Sequence, residues 1–465
     1  MAQETAKFLE GNLFRHITVM SLTSSVGLLA VFLVDFVDMI FISMLGNASL
    51  AAAVGYAGAI LFFTTSFGIG MAIAAGALVS RALGQNDEER ARQLITNALV
   101  YGVLFGVAFS ALVWLNLGAL TALVGATGET QALAVSYLQI IVPSLPFLLV
   151  GMMGGAILRA YGDARRAMMA TIYGGLVNAV LDPILIFGLD LELIGAAWAS
   201  VAARVAIAAT ALLPIIRHHG GISAPHMPAF LRDFVPVFSI ALPAILTQLA
   251  TPIGQGYVTR AMAQHGEEAV AGMAVVSRLT PLSFAVIFAL SGALGPIIGQ
   301  NFGGGRHDRV ARAFRDGLLF IGLYVLFVSL VLFVLRDPIV ALFGAQGIGV
   351  TLIYLFCGPL ALLFYFNGAI FVANSAFNNL GHPFYSTWVN WGRHTLGTMP
   401  TVALGAYLFG AAGVLIGQAL GGVVFAAIAL LLARRVIRDG AGKAGVVQDP
   451  FSRQSRLMQL LHMRR

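Results

Sequence analysis

Two carboxylates three residues apart, Asp35 and Asp38, sit in the unbroken apolar stretch LLAVFLVDFVDMIFISMLG, residues 28–46. That spacing on a helix points both to roughly the same side. A second stretch, NAVLDPILIFG, sets Asn178 and Asp182 one turn apart in equally apolar surroundings. An ionised carboxylate deep in hydrocarbon costs about 2.5 kcal/mol or more, so such groups face a protein interior or wet cavity and mark ion or proton paths. Carboxylate and amide oxygens are hard ligands suited to Na+, and carboxylates equally accept H+. The residues leave that choice open. Pro183, directly after Asp182, frees an upstream backbone carbonyl and favours a kink. The reading is two helices meeting around a cation or proton site in a transport protein.

Those residues need a scaffold that spans a membrane. Of 465 residues, 59% are hydrophobic and 10% charged, against about 25% charged in soluble chains. The 53 glycines suit closely packed transmembrane helices. The fold class is an all-α polytopic membrane protein. The single cysteine, Cys357, excludes an internal disulfide and a cysteine-built metal cluster. No histidine has zinc-ligand spacing. GQNFGGG, within residues 295–310, lacks the Lys and Ser/Thr of a phosphate loop, so transport draws on an ion gradient rather than ATP. The spans hold no nucleophile–base pair, so no enzyme activity and no cofactor are expected beyond H+ or Na+ as coupling ion. The net charge of +7 sits between and after apolar segments, where it meets anionic lipid rather than nucleic acid.

Twelve apolar spans are predicted at roughly 16–42, 50–80, 93–116, 132–158, 167–189, 194–215, 235–261, 268–299, 313–335, 346–378, 384–408 and 411–433. The organisation expected is a cytoplasmic lead (1–15), an N-terminal six-helix lobe (16–216), a cytoplasmic linker (217–234), a C-terminal six-helix lobe (235–434) and a basic cytoplasmic tail (435–465). Connections after even-numbered spans carry Arg81, Arg90, Arg92, Arg159, Arg165, Arg166, Arg306, Arg309, Arg312 and Arg315, with Arg393 the ambiguous case. The positive-inside rule then puts both termini in the cytoplasm. No cleaved signal peptide opens the chain. The partners expected are small organic substrates and lipid, around a monomer in a bacterial inner membrane.

The chain repeats itself. GALVSRALGQNDEERA (76–91) lies over GPIIGQNFGGGRHDRV (295–310), and RAYGD (159–163) over NNLGH (378–382), at the same offset of 219. Repeats of even span number insert in one orientation, related by a pseudo-two-fold axis along the membrane normal. In the repeated loop, Gly84 and Gly303 are the expected positive-φ residues.

These residues carry a resemblance. VDMIFISMLG, the two equal halves, the repeated glycine loop and NAVLDPILIFG followed by LIGAAWAS are similar to the multidrug and toxic compound extrusion (MATE) family. The resemblance implies multidrug efflux: xenobiotic export of organic, cationic amphiphilic compounds by antiport against H+ or Na+. In the branch with its coupling carboxylates in the N-terminal lobe, it implies roles for Asp38, Asn178 and Asp182, with Na+ among the ions they could hold. A hydroxyl on the sixth helix falls here on Ser200. Asp35 is an extra carboxylate, aligned roughly with Gln255, and Thr23 stands where many relatives have proline. The predicted helices 7 and 10 carry no carboxylate, which favours a coupling site in the first lobe. Tyr257, Phe284, Phe288, Tyr365 and Asn367 are candidate cavity walls, since aromatic faces suit organic cations. The alternative is a flippase for an amphiphilic or lipid-linked precursor. Near-absence of intramembrane Arg argues against it.

Overall fold

The computed structural model describes residues 6–442 except residue 225. The tail from 443 on lies outside the described residues. Every regular element among them is helical. The crossings are α1 (Leu13–Met44), α2 (Ala48–Gly84), α3 (Glu88–Leu115), α4 (Gly128–Ala160), α5 (Ala164–Gly188) and α6 (Glu192–His218). They continue as α7 (Met227–Ala263), α8 (Glu267–Gly303), α9 (His307–Phe343), α10 (Ile348–Asn379), α11 (383–409) and α12 (411–442). Each exceeds the roughly 20 residues needed to cross hydrocarbon.

The last two form one helical run folded back on itself. Gly410 reverses the chain at φ 59°, ψ −139°. Beyond the reversal the two backbones nearly touch. A Cβ on Gly405 would collide with Gly413, and one on Gly413 with Gly405; Gly417 meets Thr401 and Gly421 meets Thr398 in the same way. Thr401 Oγ1 donates to Gly417 O at 2.7 Å across the seam. Small residues permit this approach where no hydrophobic force drives helices together.

The repeat is visible in the backbone. Asn86 and Gly305, 219 residues apart, take φ of 59° and 70°. Gly162 and Gly381, again 219 apart, take 75° and 86°. This corrects the expectation for Gly84 and Gly303: each is the last residue of its helix, and the left-handed turn comes two residues later. One copy places Asn there, a residue that tolerates the conformation through its short polar side chain.

Packing divides the chain into two compact units, one containing Thr23–Ile245 and the other Phe8–Leu22 with the chain from Leu246 on. In the first, the start of α7 is clamped to α3. Asp233 is fully buried and accepts two hydrogen bonds from Arg90 (2.8 and 2.6 Å) and one from Asn97 (2.8 Å). Tyr101 donates to Phe230 O and packs against Phe234 and Phe238. In the second, the short helix Lys7–Leu9 docks on the loop joining α8 to α9. The Phe8 N–H donates to Gln300 Oε1 at 2.8 Å, and Asn301 Nδ2 donates to Phe8 O at 3.0 Å. Arg309 reaches the carbonyls of Phe8, Glu10 and Gly11, each at 3.1 Å. The repeated loop thus holds the chain's own lead.

Asp163 caps α5 outside the spans. It accepts from Arg166 N (3.1 Å), Arg166 Nη1 (2.6 Å) and His219 Nε2 (3.2 Å). Burial would raise its pKa, but His219 and Arg166 outweigh that and hold the carboxyl well below the usual range. A depressed carboxylate contributes stability above its unfolded pKa of about 3.9, lost as pH falls through the folded value. Asp163→Asn is therefore expected to flatten the acid limb of a thermal-midpoint-versus-pH curve in detergent, leaving a gentler fall below about pH 4. Asp233→Ala strands a three-quarters-buried Arg90. It is expected to cost about 3 kcal/mol, read as a lower melting midpoint at neutral pH.

Candidate functional site

Helices α1 and α5 run together in one register. Gly27 of α1 sits against Thr171 of α5, and a Cβ on Gly175 would stand 3.0 Å from Val34 Cγ2. Further along, the rings of Phe41 and Phe187 meet edge-on at 5.9 Å. Between these contacts Asn178 Nδ2 donates to Asp38 Oδ1 (3.0 Å) and to Asp182 Oδ2 (2.7 Å). One amide nitrogen thus serves both carboxyl groups. Asp38 and Asp182 thus meet at the same amide, and a bond made directly between two carboxyl groups needs a proton on one of them. Asp182 is fully buried, and its Oδ1 has no hydrogen-bond partner. A buried acceptor in that state is a place for a proton or a cation.

Directly after Asp182, Pro183 ends the α-helical pattern, and Ile184–Gly188 continue with the wider π spacing. Gly195 of α6 leaves room for that widened turn: a Cβ there would stand 2.7 Å from Leu185 O. The proline thus shapes α5 at the carboxylate.

Two further residues lie beside these groups. Tyr137 of α4, 7% exposed, is buried with Ser200 of α6, Asp38, Asp182 and Arg204 nearby. Arg204, one turn beyond Ser200, donates to Ile141 O (3.1 Å) and Ser144 Oγ (2.9 Å). Ser200 lies beside Tyr137 and takes no part in the Asp38–Asn178–Asp182 hydrogen bonds. Asp35 lies on the exposed side of α1, one turn from Asp38 and in its field. Sequence reasoning missed Arg204 and Tyr137. The signal for the first was present, an Arg inside VAARVAIAAT; Tyr137 gave none, because only burial beside charges sets it apart.

The expected near-absence of intramembrane Arg is corrected. Arg204, Arg278 and Arg393 lie within α6, α8 and α11. Arg393, the ambiguous case in the charge count, opens a π turn, Arg393–Gly397, inside α11.

The five cavity-wall candidates do not form one cluster. Phe284 is fully buried at a kink in α8 (φ −112°, ψ 19°), its ring stacked 3.9 Å from Phe364. Phe288 is half-buried against Phe364 and Phe371. The Tyr365 ring meets Phe366 edge-on and lies beside Gly322 of α9. Asn367 lies beside Gly422 of α12. Tyr257 is half-buried on α7, and its neighbour Gln255 accepts from Gln418 Nε2 at 3.1 Å. That amide pair stands near where the first unit has Asp35.

The MatE sequence profile matches residues 24–184 and 243–402, one segment in each repeat. The chain belongs to the MatE family. Among curated relatives, the FAD transporter of Shewanella oneidensis is 27% identical over 430 residues, 90% of this chain and 93% of that protein. The multidrug export protein MepA of Staphylococcus aureus is 24% identical over 341 residues, covering 72% and 75% of the two chains. Among solved structures, a MOP superfamily transporter from Pyrococcus furiosus superposes with a TM-score of 0.87 at 21% identity. The match covers 95% of this chain and 99% of that one. This MatE protein is an integral membrane transporter, not an enzyme, and its class performs secondary active transport of small organic compounds.

A proton held between Asp38 and Asp182 has a direct signature. In sodium-free buffer at neutral pH, difference infrared spectra are expected to show a protonated carboxyl C=O band. Both Asp38→Asn and Asp182→Asn should lose it, because one proton serves the pair.

Proposed function

We propose that this protein is a cation-coupled antiporter that exports organic compounds, with Asp38, Asn178 and Asp182 as its coupling site in the first half of the chain. The observation that carries the reading is the orphaned Asp182 Oδ1 beside a second carboxyl held by the same amide. A proton or Na+ entering there satisfies that oxygen and removes net charge from an apolar setting. Both ions fit the donor set. Na+ would take the Asp38 and Asp182 carboxylates with the Asn178 amide oxygen, after the amide turns its oxygen inward. H+ needs only the carboxyl pair.

Neutralisation at Asp38 acts on α1 itself, since Asn178 ties that helix to α5. The bound cation favours one arrangement of α1 and cargo the other, so each ligand weakens the other, and the coupling is reciprocal. Tyr137 and Ser200 hold the neighbouring α4 and α6, and Arg204 keeps a fixed positive charge near the pair. Asp35, on the exposed side, draws cations toward Asp38.

Two cargo classes are in view. The resemblance favours cationic amphiphiles, and the MepA relative, a multidrug export protein, supports drug-like cargo. The Shewanella relative favours a flavin dinucleotide, an aromatic anion, and arginines inside the helices suit that second class. The same arginines revive the flippase alternative for a phosphate-bearing amphiphile. The proposal places the protein as a monomer in a bacterial inner membrane, both termini cytoplasmic.

The test is cargo efflux from proteoliposomes under separately imposed H+ and Na+ gradients. Gradient-driven efflux of ethidium or of flavin adenine dinucleotide is expected for the wild type. It should fall at least about tenfold in Asp38→Asn and in Asp182→Asn, within the usual range of coupling energies. Efflux that needs neither gradient and survives both substitutions would remove the coupling site and leave a facilitator or flippase.

A further inference from the structure

Polar side chains between α10 and α11 mostly satisfy one another. Ser386 Oγ donates to Asn378 Oδ1 and Asn390 Nδ2 to Asn374 Oδ1, each at 3.3 Å. Such bonds join helices and need no ligand. The ladder ends at Arg393, whose Nε is buried with no hydrogen-bond partner. Among the described residues no carboxylate forms an ion pair with Arg393. Arg393 lies ten residues into α11, about 15 Å along its axis, well inside a bilayer core. A guanidinium at that depth is costly unless it serves a polar ligand or cavity.

Its surroundings are those of an anion site. Gly422 of α12 leaves a space where a Cβ would stand 3.4 Å from Asn367 Oδ1 and 3.7 Å from Arg393 Nε. The adjacent His394 packs over Gly254 of α7, where an added Cβ would collide with its ring. One turn toward the hairpin, Gln418 and Gln255 pair. Among the described residues, these neighbours of Arg393, drawn from four helices of the second unit, include no carboxylate. On α10, Phe364 and Phe371 stand three residues before and four after Asn367, on one face of the helix. Both rings are partly exposed and packed against Phe288.

We infer that Arg393, with Asn367 and His394, binds the phosphate or carboxylate of an aromatic anion whose ring lies against the Phe364–Phe371 face. The assignment rests on the transport reading and deepens it by naming the charge of a cargo. The fork of the guanidinium matches phosphate and carboxylate geometry. The rings supply stacking surface for the aromatic part.

The experiment uses the full chain in phosphatidylcholine nanodiscs with two probes differing by one phosphate, riboflavin and riboflavin 5′-phosphate. Wild type is expected to bind the phosphate ester at least about tenfold more tightly, the scale of a charge-assisted hydrogen-bonded pair. Arg393→Gln should erase the preference. So should Asn367→Asp, a nearly isosteric change that sets a carboxylate beside the guanidinium. Arg393→Lys should keep part of it, since a point charge replaces a fork. Equal binding of both probes by wild type overturns the inference, as does a preference untouched in both Arg393→Gln and Asn367→Asp variants that keep the wild-type melting midpoint. Repeating the measurement in phosphatidylglycerol discs separates two sources of the anion. A preference lost there assigns the site to a lipid headgroup, and one retained assigns it to soluble cargo. Binding is read without a gradient, so failure here is distinct from failure of antiport, which only the efflux measurement reads.

Discussion

A single amide holds two acids. Asn178 donates to both Asp38 and Asp182, and through those bonds α1 and α5 share one polar centre in an otherwise apolar contact. Neighbouring features of the first unit serve that arrangement. Gly175 makes room for Val34, Pro183 and the π turn set the angle of α5 beside Asp182, and Gly195 accepts the turn. Leaving Asp182 Oδ1 unpaired is unfavourable in a static protein. The cost has a use only if something visits that oxygen. A small cation or proton is what its size and charge admit.

The second unit is chemically the inverse. Where α1 carries acids, α7 carries Gln255, and among the described residues the charged group left with an unpaired buried atom is Arg393 rather than a carboxylate. Two copies of one helical plan thus hold unsatisfied groups of opposite sign. The copies agree in backbone, as the left-handed turns at Asn86 and Gly305 show, and differ in what they place inside. A fold that keeps its turns while exchanging buried charge can separate energy coupling from cargo recognition.

Much of this was legible in the sequence. Length and hydropathy fix twelve crossings, because hydrocarbon thickness sets the length of any spanning helix. The Asp38, Asn178 and Asp182 set was legible for the same reason, since a charge in an apolar run stands out. Arg393 was visible and fell inside the predicted span 384–408, but it reads there as an ambiguous member of the loop charges rather than as a buried cation. Tyr137 was beyond reach, because a tyrosine in an apolar helix carries no mark of its neighbours. The lead at residues 6–9 was also opaque. Its hydrogen bonds at Phe8 and Leu9 are made by the backbone, which leaves no trace in residue type.

That lead imposes an order on biogenesis. Phe8 finds Gln300 and Asn301 as partners only across some 290 residues of chain. At 5–20 residues per second the ribosome needs roughly 15–60 s to make them. Throughout that interval this segment stays without its seat. Helix α1 is thus complete long before the segment ahead of it is anchored. A truncated or stalled chain leaves Phe8 and the carbonyls of Leu9, Glu10 and Gly11 without their partners. Quality control could recognise that uncovered end as the mark of an unfinished transporter.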